Sequence, residues 1–213
     1  MTPSNLTRLG GQALMFGGVT SALHLVARSV VTSSTGVVDL ALSHGWVALN
    51  FLGTGGAILL LVGLGALLPT LVSAGGLLGL IGLALVAWFW LFSGVFLGLY
   101  AALLMPWLAR GAPWMLGPEA DVPLALLVVF GSALLALCSG AALLAIPFFR
   151  RRLEPLWVGI ALPGGAALAL VGDLIAPRGP SSTLALNLFT NLGPVLVAVA
   201  LGSLGLGLAR ASR

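Results

Sequence analysis

Long runs of apolar residues, separated by short polar segments, dominate the pattern along the chain. A helix needs about 20 consecutive apolar residues to cross the hydrocarbon core of a bilayer. Six runs satisfy that length, at about residues 9–31, 46–68, 77–104, 122–149, 155–176 and 183–209. The pattern therefore predicts an all-α polytopic membrane protein. We expect a bundle of six transmembrane helices, with residues 1–213 forming a single transmembrane domain.

The composition strengthens this prediction and excludes two other classes of protein. Sixty per cent of the residues are hydrophobic and 7% are charged, which is too apolar for a water-soluble domain. The basic residues are all arginines, and they lie near the ends of the apolar runs. The formal net charge of +4 therefore reports orientation in a membrane, and we expect no binding of nucleic acid. The lone cysteine, Cys138, excludes a disulfide within the chain.

The arginines are unevenly distributed over the two sides of the predicted bundle. Three lie on one side, Arg28, Arg110 and Arg178. Six lie on the side of the two termini, Arg8, Arg150, Arg151, Arg152, Arg210 and Arg213. Basic residues are enriched on the cytoplasmic side of membrane proteins. We therefore expect both termini to be cytoplasmic and the protein to lie in a bacterial-type inner or plasma membrane.

Two predicted connections on the outer side are long, residues 29–45 and 105–121. The second contains several prolines and two tryptophans, Trp107 and Trp114, a composition typical of a segment in the headgroup region. Trp46 and Trp157 stand at the predicted starts of two helices, and we expect them to be interfacial anchors as well. The aromatic run at residues 88–92 lies in mid-span, where it can form the wall of a cavity or, as we expect, pack between helices.

Prolines and glycines lie near the middle of the last two predicted helices, at residues 163–165 and 193–194. A proline removes one backbone hydrogen bond from a helix. Irregular backbone is tolerated at membrane depth only where protein or a water-filled cavity surrounds it. We expect both helices to be broken at these points, and two broken helices that bracket polar side chains are typical of a binding cavity.

Polar side chains in the predicted spans concentrate near the outer ends of the helices. Residues four apart share a helix face, as His24 and Arg28 do. An acid within a span generally faces the bundle interior and has a partner, so we expect Asp173 to pair with Arg28. In a binding site, Arg28 would attract an anionic group and Asp173 a cationic one. The predicted ligand-binding residues are His24, Arg28, Asn50, Asp173, Asn187 and Asn191.

Each of these residues also has a purely structural interpretation. Arg28 is close enough to a helix end to extend its side chain to the interface. His24 can hydrogen-bond a neighbouring helix, and the asparagines can join two helices together. Small residues form a ridge on the first predicted helix at Ala13 and Gly17, and other glycine pairs do so on the third. Such ridges allow close packing within the chain or against another subunit.

The sequence thus favours a protein that binds or transports a small solute through an outward-facing polar pocket. The alternative is a structural or accessory subunit of a larger membrane complex, with the small-residue ridges as its contact surface. Its partners would then be a second copy or another membrane subunit, besides the lipid bilayer. An intramembrane enzyme is a third and weaker hypothesis. No nucleophile, metal or phosphate-binding motif is present, so we expect no catalytic residues, no cofactor and no metal site.

Residues 145–165, AIPFFRRRLEPLWVGIALPGG, resemble a join found in uncharacterised bacterial six-helix integral membrane proteins. In that join a helix ends in arginines, and a short proline-containing turn leads into a helix with an aromatic-x-Gly motif. The resemblance implies the six-helix architecture and no particular function. The size, the predicted crossings and the ridge of the first helix are also similar to the substrate-capturing components of energy-coupling vitamin transporters, in architecture alone.

Overall fold

The computed structural model describes residues 3–32, 36–116, 124–151, 155–175 and 184–211, and all regular structure in these ranges is helical. Five helical segments are long and apolar enough to cross a membrane: Asn5–Thr32, His44–Gly111, Leu124–Arg150, Leu156–Ile175 and Leu184–Ala211. Large apolar side chains, such as Leu77 and Ile160, are exposed on their outer faces, as contact with lipid requires. The chain is therefore a multi-pass α-helical membrane protein, which confirms the predicted fold class at this level. The number of crossings and the orientation stay predictions.

The helices are numbered in chain order. They are α1 (Pro3–Thr32), α2 (Val37–Leu42), α3 (His44–Phe89), α4 (Leu97–Leu99), α5 (Met105–Gly111), α6 (Leu124–Arg151), α7 (Leu156–Ile175) and α8 (Leu184–Ala211). Two π-helical turns, Trp90–Phe96 and Tyr100–Leu104, flank α4, and a 3₁₀ turn covers Pro113–Leu116. Three of the arginines that indicated orientation, Arg152, Arg178 and Arg213, lie outside the described residues.

The second helical segment folds back on itself at Gly76. This residue has φ 55° and ψ −135°, a conformation that glycine adopts readily because it has no Cβ. Trp46 and Ala101 lie near opposite ends of this segment, yet the indole Nε1 of Trp46 donates a hydrogen bond of 3.1 Å to the carbonyl oxygen of Ala101. A straight helix of 68 residues would be about 100 Å long, so this bond requires an antiparallel hairpin. We call residues 44–75 the first arm and residues 77–111 the second arm.

The hairpin corrects one detail of the sequence analysis. The predicted join over residues 69–76 is helical as far as Gly75, and the chain reverses within a single residue. Pro69 does not end the helix. Proline is tolerated inside membrane helices because neighbouring groups compensate for its missing hydrogen bond.

The two arms and the four other long helices form a closed ring. In order around the ring, the first arm packs against α1, α1 against α8, α8 against α7, and α7 against α6. The contact of Gly140 in α6 with Gly82 and Val86 then joins α6 to the second arm, which completes the ring. Each long helix therefore has one face toward the interior of the ring and one toward the surroundings.

The predicted ridges of small residues are used for contacts within this ring. A Cβ added at Gly17 would lie 2.8 Å from a carbonyl oxygen of the first arm, and one at Gly18 would lie 2.8 Å from the backbone of α8. Gly94 and Gly98 of the second arm face the first arm, and Gly75 faces α6. Because close helix packing in membranes depends on such small residues, these contacts set the spacing of the ring.

A core of large apolar side chains packs in the half of the ring that contains Pro3 and Ala211. Its largest members are fully buried and come from the four long helices and both arms: Leu14, Leu60, Leu64, Val86, Leu137, Leu144, Leu162, Val197 and Leu201. The predicted ligand-binding residues lie in the other half.

The predicted breaks in the last two helices are wrong. Pro163 lies inside a continuous α7, and Pro194 lies inside a continuous α8. Each proline removes one backbone hydrogen bond, but the rest of the helix ladder is kept. The irregular helix lies in the second arm instead, at the π turns that begin at Trp90 and Tyr100. Such turns widen a helix locally and are frequent at functional sites.

The glycine contacts yield a test of the packing. Gly63 of the first arm lies against Leu14 of α1, where an added Cβ would be 2.5 Å from the Leu14 Cα, whereas Gly65 faces open space. We expect Gly63→Ala to lower the free energy of unfolding by about 1–3 kcal/mol, because it overpacks the contact. Gly65→Ala should leave it unchanged or raise it by up to about 1 kcal/mol, because alanine favours helix. Thermal unfolding in mild detergent measures both, and equal melting temperatures would contradict the helix spacing described here.

Candidate functional site

A cavity of about 380 Å³ lies inside the ring, in the half opposite the apolar core. This volume falls within the range of small-molecule sites, about 300–1,000 Å³. All four long helices and both arms contribute to its wall. One representative from each element, in chain order, is Ser21, Gly53, Trp90, Phe130, Asp173 and Asn191.

The structure brings five of the six predicted ligand-binding residues to this cavity: His24, Arg28, Asp173, Asn187 and Asn191. Asn50 is not among the residues that line it. Its side chain is fully buried, and its Nδ2 donates a hydrogen bond of 2.9 Å to the carbonyl oxygen of Trp46 within the first arm. The binding of a ligand by the other five residues stays a prediction.

One face of α1 forms a polar stripe along the cavity. Ser21, His24, Arg28 and Thr32 are spaced by three or four residues, so they lie above one another on the helix. Nδ1 of His24 lies 2.9 Å from the carbonyl oxygen of Leu49. A carbonyl oxygen only accepts, so Nδ1 carries the hydrogen and Nε2 is left as an acceptor. His24 is thus bonded to a neighbouring helix and still presents a polar atom.

The guanidinium of Arg28 is held by an aromatic ring. Its Cζ lies 5.5 Å from the centre of the Trp46 ring, which is the geometry of a cation–π interaction. Trp46 is only 2% exposed and packs with Leu40 and Ala101. The prediction that Trp46 is an interfacial anchor is therefore wrong. Its indole N–H bonds the second arm, and the ring supports Arg28 instead.

Arg28 and Asp173 line the same cavity but form no ion pair with each other, so that prediction is also wrong. The ring order gives the reason. α8 lies between α1 and α7, and the guanidinium is drawn toward Trp46 in the first arm. Asp173 takes part in a different interaction. No side chain or backbone group in the described part of the chain accepts a hydrogen bond from the Arg28 guanidinium.

The two asparagines join α8 to α1. Nδ2 of Asn191 donates to Ser29 Oγ at 2.8 Å and to the backbone carbonyl oxygen of Asn187 at 3.0 Å. Nδ2 of Asn187 donates to Thr32 Oγ1 at 3.4 Å. Both side-chain nitrogens are used in these bonds, so the side-chain oxygen Oδ1 is the remaining polar atom of each asparagine. In the described ranges neither oxygen accepts a hydrogen bond, so both are available as acceptors at the cavity wall.

Three buried polar atoms have no hydrogen-bond partner within the described ranges: Ser21 Oγ, Asn50 Oδ1 and Trp90 Nε1. Ser21 and Trp90 belong to the cavity wall, but each of the three atoms has less than 1 Å² of accessible surface, so none of them is open to the cavity. A buried polar group without a partner costs about 1–3 kcal/mol, so native proteins generally satisfy such groups with a ligand, a water or another side chain. The indole N–H is a donor only, so the group that satisfies Trp90 must be an acceptor.

Aromatic rings form the apolar part of the wall. Phe89, Trp90 and Phe130 line the cavity, and the Phe89 and Trp90 rings meet edge to face with centroids 5.5 Å apart. The sequence analysis offered a cavity wall as one interpretation of the aromatic run at residues 88–92 and favoured helix packing. Trp90 begins the first π turn, where the helix is wider, and sequence patterns do not show such a turn.

The arrangement can bind a small molecule by both polar and apolar contacts. The polar groups are the donors of Arg28 and the acceptors on His24 and the asparagines. Among the described residues, no group of three or more histidine, cysteine, aspartate or glutamate side chains could hold a metal ion. Comparison of the chain with protein-family models, curated proteins and solved structures finds no match. The resemblance of residues 145–165 to bacterial six-helix proteins stays a prediction, and the function has to be argued from the cavity.

The bond between Asn191 and Ser29 provides a test of the α1–α8 junction. In a double-mutant cycle of Asn191→Ala and Ser29→Ala, we expect a coupling free energy of about 0.6–1.7 kcal/mol, the range of interhelical hydrogen bonds in membranes. The matched control replaces Asn191→Ala by Ser203→Ala, because Ser203 on the same helix bonds only the carbonyl of Val199. That control cycle should show no coupling. Unfolding in mild detergent measures both, and equal coupling would contradict the assigned bond.

Proposed function

We propose that this protein binds a small solute in the cavity, as a binding or transport protein of a bacterial-type inner or plasma membrane. The observation that carries the proposal is a cavity of about 380 Å³ whose wall combines His24, Arg28 and the two asparagines with aromatic rings. A site of this size that joins a few convergent polar groups to an apolar wall is suited to a small ligand.

The apolar core lies between the cavity and the end of the bundle that contains Ala211. Below the cavity, fully buried side chains such as Leu14, Leu60 and Leu201 pack inside the ring. A second cavity of about 260 Å³, with a mostly apolar lining, lies nearer to Ala211. The polar stripe of α1 ends at Thr32, at the opposite end of the bundle. A solute would therefore enter near Thr32. Transport would require the core to open as well, and the π turns of the second arm are the irregular segment at which a helix can change its course.

We further propose six crossings with both termini in the cytoplasm. The hairpin at Gly76 divides the second segment into two arms, each of about 30 residues and long enough to span a bilayer. Exposed arginines, Arg8, Arg150 and Arg210, lie at the end of the bundle that contains Ala211. At the cavity end, Trp107 and Trp114 are 67% and 72% exposed, as expected of anchors in the headgroup region. The cavity would then open to the outside.

The alternative role as a structural or accessory subunit has less support. That hypothesis needs a ridge of small residues free for a partner chain. The ridges predicted on the first and third helices contact the first arm, α6 and α8 within the chain. Glycines that face open space, such as Gly55 and Gly164, are isolated from these ridges.

Single cysteines test the orientation in a Cys138→Ser background. All four chosen positions are exposed, Gly36 and Gly111 at the cavity end and Asn5 and Ala211 at the other. We expect an impermeant thiol reagent to label Gly36→Cys and Gly111→Cys on intact cells, and Asn5→Cys and Ala211→Cys only after lysis. The reverse pattern would place the cavity on the cytoplasmic side.

A matched pair of serine substitutions tests the binding of a solute. Ser93 lines the cavity and Ser139 faces outward on α6, and each hydroxyl donates to a carbonyl one turn earlier, at 2.6 and 2.5 Å. Native mass spectrometry of the wild-type protein should show an added small-molecule mass. Ser93→Phe fills the cavity and should abolish that mass, whereas Ser139→Phe should retain it. A wild-type protein without a bound solute, or equal retention by both variants, would contradict the proposal.

A further inference from the structure

We infer that the solute is a small monocarboxylate with a flat apolar body. This inference rests on the proposed function, because it names the class of solute for the same cavity. It is carried by Arg28 and the aromatic wall, which lie at one cavity.

The charge of the solute follows from Arg28. Its guanidinium stays protonated, and its Trp46 contact occupies a ring face without using its N–H donors. A charged side chain within a membrane span is costly unless it has a partner. No group in the described ranges accepts a hydrogen bond from these donors. A planar carboxylate fits the guanidinium fork with two parallel hydrogen bonds.

A single negative charge fits the cavity better than two. Arg28 is the only arginine among the described residues that line it, and the chain has no lysine. A second anionic group would therefore have no arginine or lysine of the described wall to pair with, which disfavours dicarboxylates and phosphate dianions.

The body of the solute follows from the aromatic part of the cavity wall. Phe89, Trp90 and Phe130 line the cavity and offer ring surfaces for a flat apolar body.

The volume limits the size of the solute. A water molecule occupies about 30 Å³ in the liquid, so a cavity of about 380 Å³ holds about a dozen non-hydrogen atoms. Phenylacetate is of this size and serves as the probe. Phenylacetamide has the same shape as phenylacetate without the charge.

The experiment measures binding of both compounds to the purified full-length protein in mild detergent by thermal shift and calorimetry. We expect phenylacetate to bind at least about tenfold more tightly than phenylacetamide, since hydrogen bonds to charged groups are the stronger ones. Arg28→Gln should abolish that difference. The control Arg110→Gln, an exposed arginine on α5, should retain it. Equal binding of acid and amide by the wild-type protein would overturn the inference.

The identity of the co-purified solute separates this inference from the proposed function. A neutral or cationic solute that is displaced by Ser93→Phe would overturn the monocarboxylate and leave the binding function intact. An anionic lipid held by Arg28, recognised by its mass, would also overturn it. A small carboxylic acid that is lost in both Ser93→Phe and Arg28→Gln is the expected result.

Discussion

The close approach of α1 to both of its neighbours is the constraint on which the rest of the structure depends. Gly17 faces the first arm and Gly18 faces α8, so consecutive residues fix α1 between two helices. With α1 held in this rotation, residues spaced by three and four, from Ser21 to Thr32, are directed to the interior of the ring. The polar stripe and the packing surface of α1 are therefore two consequences of one helix orientation.

Much of the fold and part of the site were predictable from local patterns. The lengths of the apolar runs predicted α1, α6, α7 and α8 closely, since crossing a membrane imposes a minimum length on a helix. Polar side chains within a span are rarely placed toward lipid. This restriction predicted that His24, Arg28 and the asparagines of α8 face the interior of the bundle. That physical restriction acts on single positions, so a sequence pattern can detect it.

Pairings between helices were not predictable, because they depend on the order of the ring. Arg28 and Asp173 lie at matching depths, yet α8 separates their helices and Trp46 holds the guanidinium instead. Asn50 is a polar residue within a span, as the site residues are, but its side chain forms a hydrogen bond within its own arm. The predicted breaks at the prolines of α7 and α8 were wrong for a related reason. A missing hydrogen bond need not interrupt a helix that is supported by neighbouring helices.

The asparagine network shows how binding and stability are combined at this site. The amide nitrogens of Asn187 and Asn191 hold α8 to α1, while their oxygens remain at the cavity wall. The structural and ligand-binding interpretations of these residues are therefore compatible, since each uses a different end of the same amide. A solute that accepts from Arg28 and donates to these oxygens would contact both helices at once. Its binding would strengthen the α1–α8 junction, so occupancy of the cavity and stability of the ring would rise together.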